Sequence, residues 1–273
     1  MEGARPGEAN TDWGAVDPTQ NNVQGYFNLL PGVKFLDAQE SPRNCNWFLI
    51  PLGCRRGLTF LEQQSEVDGK RLGIRGHSMG GNLTMYVAGS DSRVKVASPS
   101  VGGSGYRTYA RYGLLPQIRK VKGNLELFRR TMGYQFYAPR ITAPLLHLGA
   151  SNDFHGQMDA TYATGAKVKK TVPQRFVFAP HFNHRFYPEQ QVSRILWLDQ
   201  HLKGGVKLPE TPASELKLKP IPMLRVTPSK ELPVNRVDIY YSVDPDSRSR
   251  FWRDTKAKQD GGSWEAQLPV MDL

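Results

Sequence analysis

The sequence predicts an α/β protein: a parallel β-sheet with helices on both faces, followed by a smaller β-type segment. Two observations carry this. Short apolar runs alternate with stretches of helical periodicity between residues 41 and 204, the pattern of strands joined by helical crossovers. After Gly204-Gly205 the texture changes to Pro- and Lys-rich sequence and then to alternating runs rich in aromatics, which read as antiparallel strands.

Residues 1–40 are rich in Gly, Pro, Asn and Asp and read as loop. Ser41-Pro42 marks a helix start, with Ser41 as cap and Pro42 in the first turn. The helix runs through Trp47-Phe48-Leu49-Ile50, where Pro51 is placed to kink it, and on to Glu62. A strand is predicted over 71–76, a helix over 80–88 and a strand over 94–98. Residues 102–140 read as loops with a helical stretch at 125–132. A strand over 144–150, a helix over 158–166 and a strand over 175–179 come next. The stretch 189–202 predicts an amphipathic helix with Val192, Ile195, Leu196, Leu198 and Leu202 toward the core. Residues 205–235 read as a linker. The runs 237–243, 250–253 and 263–268 read as strands that begin a β-sandwich, a truncated domain over 236–273.

With 273 residues, 39% hydrophobic and 22% charged, the chain has the composition of a folded globular protein. No apolar run reaches the roughly 18 residues of a membrane span. Residues 1–10 lack the apolar core of a secretory signal. The formal charge of +11 raises the question of nucleic acid, but the basic residues are dispersed and only Lys167, Lys169 and Lys170 cluster. No nucleic-acid partner is expected, although such a surface suits a polyanionic polysaccharide. Cys45 and Cys54 are nine residues apart in one predicted helix, about 13 Å along its axis, which excludes a disulfide.

The chemistry is concentrated in Gly76-His77-Ser78-Met79-Gly80-Gly81, lying between a predicted strand and a predicted helix. This is the G-x-S-x-G nucleophile elbow in its strand–turn–helix context. The turn lifts the Ser78 hydroxyl above the strand ends. The flanking glycines avoid collision with neighbouring backbone, and the Met79 N–H at the helix start can bind an oxyanion. A nucleophilic serine needs a base oriented by a carboxylate, in the chain order Ser, acid, His. Asp153, just past the strand at 144–150, is the expected acid, with Asp159 a weaker candidate on the following helix. His184 is the favoured base and His181 the alternative, both in the loop after the strand at 175–179. The other histidines, His77, His147, His155 and His201, show no zinc spacing. His147, inside an apolar strand, reads as a core residue. Neither metal nor cofactor is expected.

With these motifs the chain resembles the α/β-hydrolase superfamily, in its dienelactone hydrolase-like and acetyl xylan esterase-like branch. The resemblance rests on Arg55-Arg56-Gly57-Leu58-Thr59-Phe60-Leu61, the elbow itself, Asn152-Asp153 and Asn183-His184-Arg185, and covers about residues 40–204. It implies Ser78, Asp153 and His184 as nucleophile, acid and base, and an exported enzyme that removes acyl groups from polysaccharide. In that branch the nucleophile follows the fifth strand of an eight-stranded sheet. Only 77 residues precede Ser78 here, with no earlier βαβ pattern among them. The first strands and the loop supplying a second oxyanion N–H are therefore expected to be missing. Together with the truncated β segment this reads as a fragment, with Met1 an internal methionine of a longer protein. A peptidase of the prolyl oligopeptidase type shares the fold and residue order. An inactive remnant that binds carbohydrate is the third reading, since half a parallel sheet exposes an edge.

Overall fold

The computed structural model describes residues 37–38, 46–104, 122–123, 126, 130–131, 133–246 and 250–270. The expected cap at Ser41 with Pro42, Cys45 and most of the helical stretch at 125–132 lie outside them. Helix α1 (Asn46–Glu62) runs unbroken with Pro51 inside it. It is followed by β2 (Leu72–His77), α2 (Met79–Ala88) and β3 (Val94–Ser100). A two-residue strand β1 (Asp37–Ala38) pairs in parallel with β4 (Lys122–Gly123). Next come the short helix α3 (Tyr134–Tyr137), β5 (Leu145–Ala150), α4 (Met158–Gly165), β6 (Gln174–Ala179) and α5 (Pro188–Lys203).

Strands β2, β3, β5 and β6 form a parallel four-stranded sheet in that spatial order. β5, buried at every position, is the apolar run expected of a strand covered on both faces. On one face α1 and α2 enclose a core of Ile50, Leu58, Leu83, Met85, Tyr86, Val87 and Leu145. On the other face Trp197 of α5 seals Val96, Leu146 and Leu148. β2 is an edge strand among the described residues.

The α5 face differs from the one its apolar residues predict. Val192 and Ile195 are 58% and 57% exposed, and Leu196 also faces outward. The buried positions are Gln190, Arg194 and Trp197, with Leu198 and Leu202 alongside. The rotation has a polar cause. Gln190 Nε2 donates to the carbonyls of Gly149 at 2.8 Å and Val177 at 2.7 Å, satisfying the upper ends of β5 and β6. The Arg194 guanidinium lies 5.1 Å over the Phe186 ring.

The segment 205–235, expected as a linker, contains β7 (Ala213–Lys217) and β8 (Met223–Thr227). These join β11 (Lys258–Asp260) and β12 (Ser263–Gln267) in an antiparallel sheet of order β11-β12-β8-β7. Its flanking Pro and Lys hid β8, whose Val226 pairs with Trp264. β9 (Asp238–Tyr241) pairs with β10 (Arg253–Lys256), so the strand expected at 250–253 begins only at Arg253. Val226, Ile239, Ala266 and Leu268 form one cluster between the two small sheets.

A charged latch holds α1 to the turn before β3. Arg93 donates to Asp91 Oδ2 at 2.7 Å and to Glu62 Oε2 at 2.8 Å, Arg55 reaches Asp91 at 3.2 Å, and Arg93 also donates to Thr59 Oγ1. Arg93 beside it, with Arg55, holds the Asp91 carboxyl down to about 2. His147 is 2% exposed and stacked on Phe176 at 4.6 Å, and burial pulls its imidazole down to about 4.

Both groups bind protons more readily once unfolded, so both make stability fall as pH falls. His147 contributes between its ordinary 6.5 and about 4, and Asp91 between its ordinary 3.8 and about 2. The unfolding free energy measured in denaturant should therefore drop less between about pH 7 and about pH 5 in His147→Phe than in the wild type. An undiminished drop would remove His147 as its source.

Candidate active site

β2 runs straight into α2 through one residue, and that residue is Ser78. Its backbone adopts φ 55°, ψ −114°, in the left-handed region that costs a non-glycine residue roughly 1–3 kcal/mol. The surroundings hold it there: the Ser78 N–H donates to the Ser100 carbonyl at 2.9 Å, and its own carbonyl accepts from Asn82 N–H at 3.1 Å. The hydroxyl is thereby displayed at the C-terminal end of the sheet. Met79 is the first residue of α2, so its N–H has no acceptor within the helix and lies at the positive end of the helix dipole.

Of the two motif glycines only Gly76 is sterically obligatory. A Cβ on it would lie 2.1 Å from the Gly80 carbonyl oxygen, whereas a Cβ on Gly80 would meet nothing within 4 Å. The expectation of collision at both flanks thus fails at Gly80. The second crowded position is Gly81, where a Cβ would lie 2.7 Å from the Ser100 oxygen.

His184 is brought to Ser78, with Nε2 2.6 Å from Oγ. On its other side Nδ1 lies 3.0 Å and 3.1 Å from the two carboxylate oxygens of Asp153. A carboxylate accepts, so Nδ1–H donates to Asp153 and the Nε2 lone pair receives the Ser78 hydroxyl proton. The Asp153 side chain is fully shielded from solvent, and that of His184 is 19% exposed. Asp153 Oδ1 also accepts the N–H groups of His155 at 2.7 Å and Gly156 at 2.8 Å, which fixes the plane of the carboxylate.

The loops carrying Asp153 and His184 are joined to each other. Ser151 N–H donates to the Ala179 carbonyl and Asn152 N–H to the Phe182 carbonyl, both at 3.0 Å. His181 N–H donates to Ser151 Oγ at 2.9 Å, and Phe154 N–H to Asn183 Oδ1 at 3.4 Å. His181, the alternative base, is held by this backbone bond at φ 62° while its ring packs edge-on to Tyr240 at 5.5 Å. The bond of His181 to the neighbouring loop thus runs through its main chain. Asp159, the alternative acid, sits in the first turn of α4 and is paired with Arg250 at 3.3 Å.

Three rings that the sequence did not single out for the site surround His184: His155 at 4.9 Å, Phe154 at 5.6 Å and His77 at 5.7 Å. Burial lowers the His77 pKa, and the neighbouring His184 adds to the effect, so His77 stays neutral where a positive charge on His184 would develop. Gln190 and Ser151 were also missed, being single polar residues with no motif of their own. Among the described residues no group of three or more His, Cys, Asp or Glu side chains could hold a metal ion, and no helix is long and apolar enough to cross a membrane.

The profile of the prolyl oligopeptidase family matches residues 54–205. Acetyl esterase Axe7A of Xylanibacter ruminicola is 26% identical over 161 residues, covering 56% of this chain and 36% of that protein. Two solved structures superpose with a TM-score of 0.53. One is the acetyl xylan esterase from Paenibacillus sp. R4, 22% identical, covering 65% of this chain and 58% of its own. The other is acetyl xylan esterase 1 from Thermoanaerobacterium sp., 17% identical, covering 68% and 60%. The chain spans about a third of the curated relative's length and about three fifths of the two solved esterases. The structural likeness establishes the α/β-hydrolase architecture.

The two glycines of the elbow should respond differently to one methyl group. Gly76→Ala should destabilise the fold by about 2 kcal/mol or more, because backbone must move. Gly80→Ala should stay within about 0.5 kcal/mol of the wild type, since helix propensity favours alanine there. Chemical unfolding of both variants measures this, and equal losses would contradict the crowding at Gly76.

Proposed function

The chain belongs to the prolyl oligopeptidase family, and from that premise we propose that it is a serine hydrolase that cleaves carboxylic esters. The observation carrying the proposal is the continuous run from Ser78 Oγ through His184 to Asp153, with contacts of 2.6 Å and 3.0 Å, set at the N-terminus of α2. A hydroxyl this close to an imidazole whose far nitrogen is engaged by a shielded carboxylate has the environment of an activated nucleophile.

In the proposed reaction Ser78 Oγ attacks the ester carbonyl carbon as His184 Nε2 takes its proton. The oxyanion of the tetrahedral intermediate accepts the Met79 N–H. His184 then returns the proton to the departing alcohol, leaving an acyl-serine. Water attacks that ester with His184 again as base, and the acid leaves. Asp153 holds the imidazole in the required tautomer and stabilises its charge while the proton is on it.

The name of the curated relative, an acetyl esterase, supports an acetyl ester as substrate, and the sequence resemblance extends this to esters on polysaccharide. A second reading, cleavage of a peptide amide, is favoured by the family itself, whose name is that of a peptidase. The same residues could perform both reactions, and the leaving group distinguishes them.

The chain should hydrolyse p-nitrophenyl acetate and be labelled by a fluorophosphonate. Ser78→Ala should abolish labelling, and Asp153→Asn and His184→Ala should each lower kcat/KM by about 10³-fold or more. Labelling that survives Ser78→Ala would reject Ser78 as the nucleophile. Amide cleavage without ester turnover would favour the peptidase, and a folded chain that is never labelled would be a non-catalytic binding protein.

A further inference from the structure

The C-terminal β segment makes its contacts with the hydrolase sheet at a telling place. Arg250, in the turn before β10, offers its backbone carbonyl to Asn152 Nδ2 at 2.7 Å. Asn152 immediately precedes Asp153. Its remaining polar groups bind within the paired loops: its N–H donates to the Phe182 carbonyl and its Oδ1 accepts from Ser151 Oγ at 2.8 Å. Asn152 therefore joins three pieces of chain, namely the loop bearing the acid, the loop bearing His184, and residue 250.

The position of that carbonyl is in turn fixed by the Arg250 side chain, only 15% exposed. Its guanidinium donates to the two carboxylate oxygens of Asp159 at 3.4 Å and 3.3 Å and to the carbonyls of Asp244 at 2.9 Å and Pro245 at 3.3 Å. It also lies 5.6 Å from the centre of the Trp252 ring. Asp244 Oδ2 accepts the Phe251 N–H at 2.7 Å. Arg250 thus ties this turn to α4, the helix that the acid loop leads into. A second contact reaches the base loop, where Tyr240 of β9 packs against the His181 ring.

We infer that the C-terminal β segment is a working part of the active site: through Arg250 and Asn152 it braces the loops that carry Asp153 and His184. Asn152 and Arg250 are positioning residues, since neither touches Ser78 or His184. The inference rests on the reading of Ser78, His184 and Asp153 as the reacting chain. A half-buried amide whose donor is spent on another segment resists rotation. The carboxylate beside it is then held to within the few tenths of an ångström that proton transfer requires.

The test uses the full 273-residue chain with p-nitrophenyl acetate as substrate, fluorophosphonate labelling as a separate readout and circular dichroism as the control for folding. Asn152→Ala and Arg250→Ala should each lower kcat about 10- to 100-fold while KM changes less than about threefold. Because both act along one route, the double variant should be no slower than the slower single variant. The milder Asp159→Asn, which keeps the side-chain shape, should lower kcat several-fold alone and have no effect in the Arg250→Ala background.

Wild-type kcat in Asp159→Asn and in whichever of the other two variants folds would overturn the inference. So would losses that multiply in the double variant. Either result with a normally labelled, active wild type would sink the brace alone. A wild type that is folded yet neither labelled nor active would remove the serine-hydrolase reading, and the brace with it.

Discussion

The architecture hangs on the backbone of one residue. Ser78 turns the chain from β2 into α2 at a dihedral angle that an L-amino acid avoids, and the strain is tolerated because both its amide and its carbonyl are engaged. Packing on either side requires Gly76 below and Gly81 above to lack side chains. Removing the strain would let the chain relax into an ordinary strand end or helix start. Either relaxation would turn the hydroxyl away from the sheet's upper edge and the Met79 amide away from the same point in space. The Ser78 hydroxyl and the Met79 amide, the proposed nucleophile and oxyanion donor, are thus set by a single conformational commitment.

His184, which meets the Ser78 hydroxyl, and Asp153 behind it come from loops, and loops need fixing. The acid loop after β5 and the base loop after β6 follow neighbouring parallel strands, paired from Leu145–Gln174 to Ala150–Ala179. Adjacent strand ends deliver adjacent loops, and the bonds from Ser151, Asn152, His181 and Phe154 continue the pairing beyond the sheet. Gln190 then clamps the first turn of α5 onto β5 and β6, while its Oε1 accepts the Tyr187 N–H at 2.7 Å. These bonds hold the two loops against each other and against α5.

The same requirement shapes the packing below the site. Polar side chains at the top of α5 face the sheet because carbonyls at the ends of β5 and β6 need partners. The apolar seal is left to Trp197, Leu198 and Leu202 further down. Burial also sets the electrostatics: His77 and His147 are both pushed toward the neutral form. The ion pairing of the buried Asp91 carboxylate with Arg93 and Arg55 lies at the opposite end of β3, where it secures α1.

Much of this was legible in the residues. The alternation of strand and helix between 72 and 203 and the strand–turn–helix context of the elbow follow from local patterns, and fixed chain order singles out Asp153 and His184 as the proposed acid and base. Those signals are short-range: turn chemistry, periodicity, and a strand end followed by a loop. The outward rotation of Val192 and Ile195, the membership of β7 and β8 in a sheet with β12, and the closure of the site by Asn152 and Arg250 were decided only in three dimensions. Each depends on partners 40 to nearly 100 positions away, such as Gly149 for Gln190, Glu265 for Arg225 or Arg250 for Asn152. A hydrogen bond of that span leaves no periodicity in the chain. The sequence by itself singled out the groups proposed to react; which neighbours hold them in place was decided by hydrogen bonds between distant segments in the folded protein.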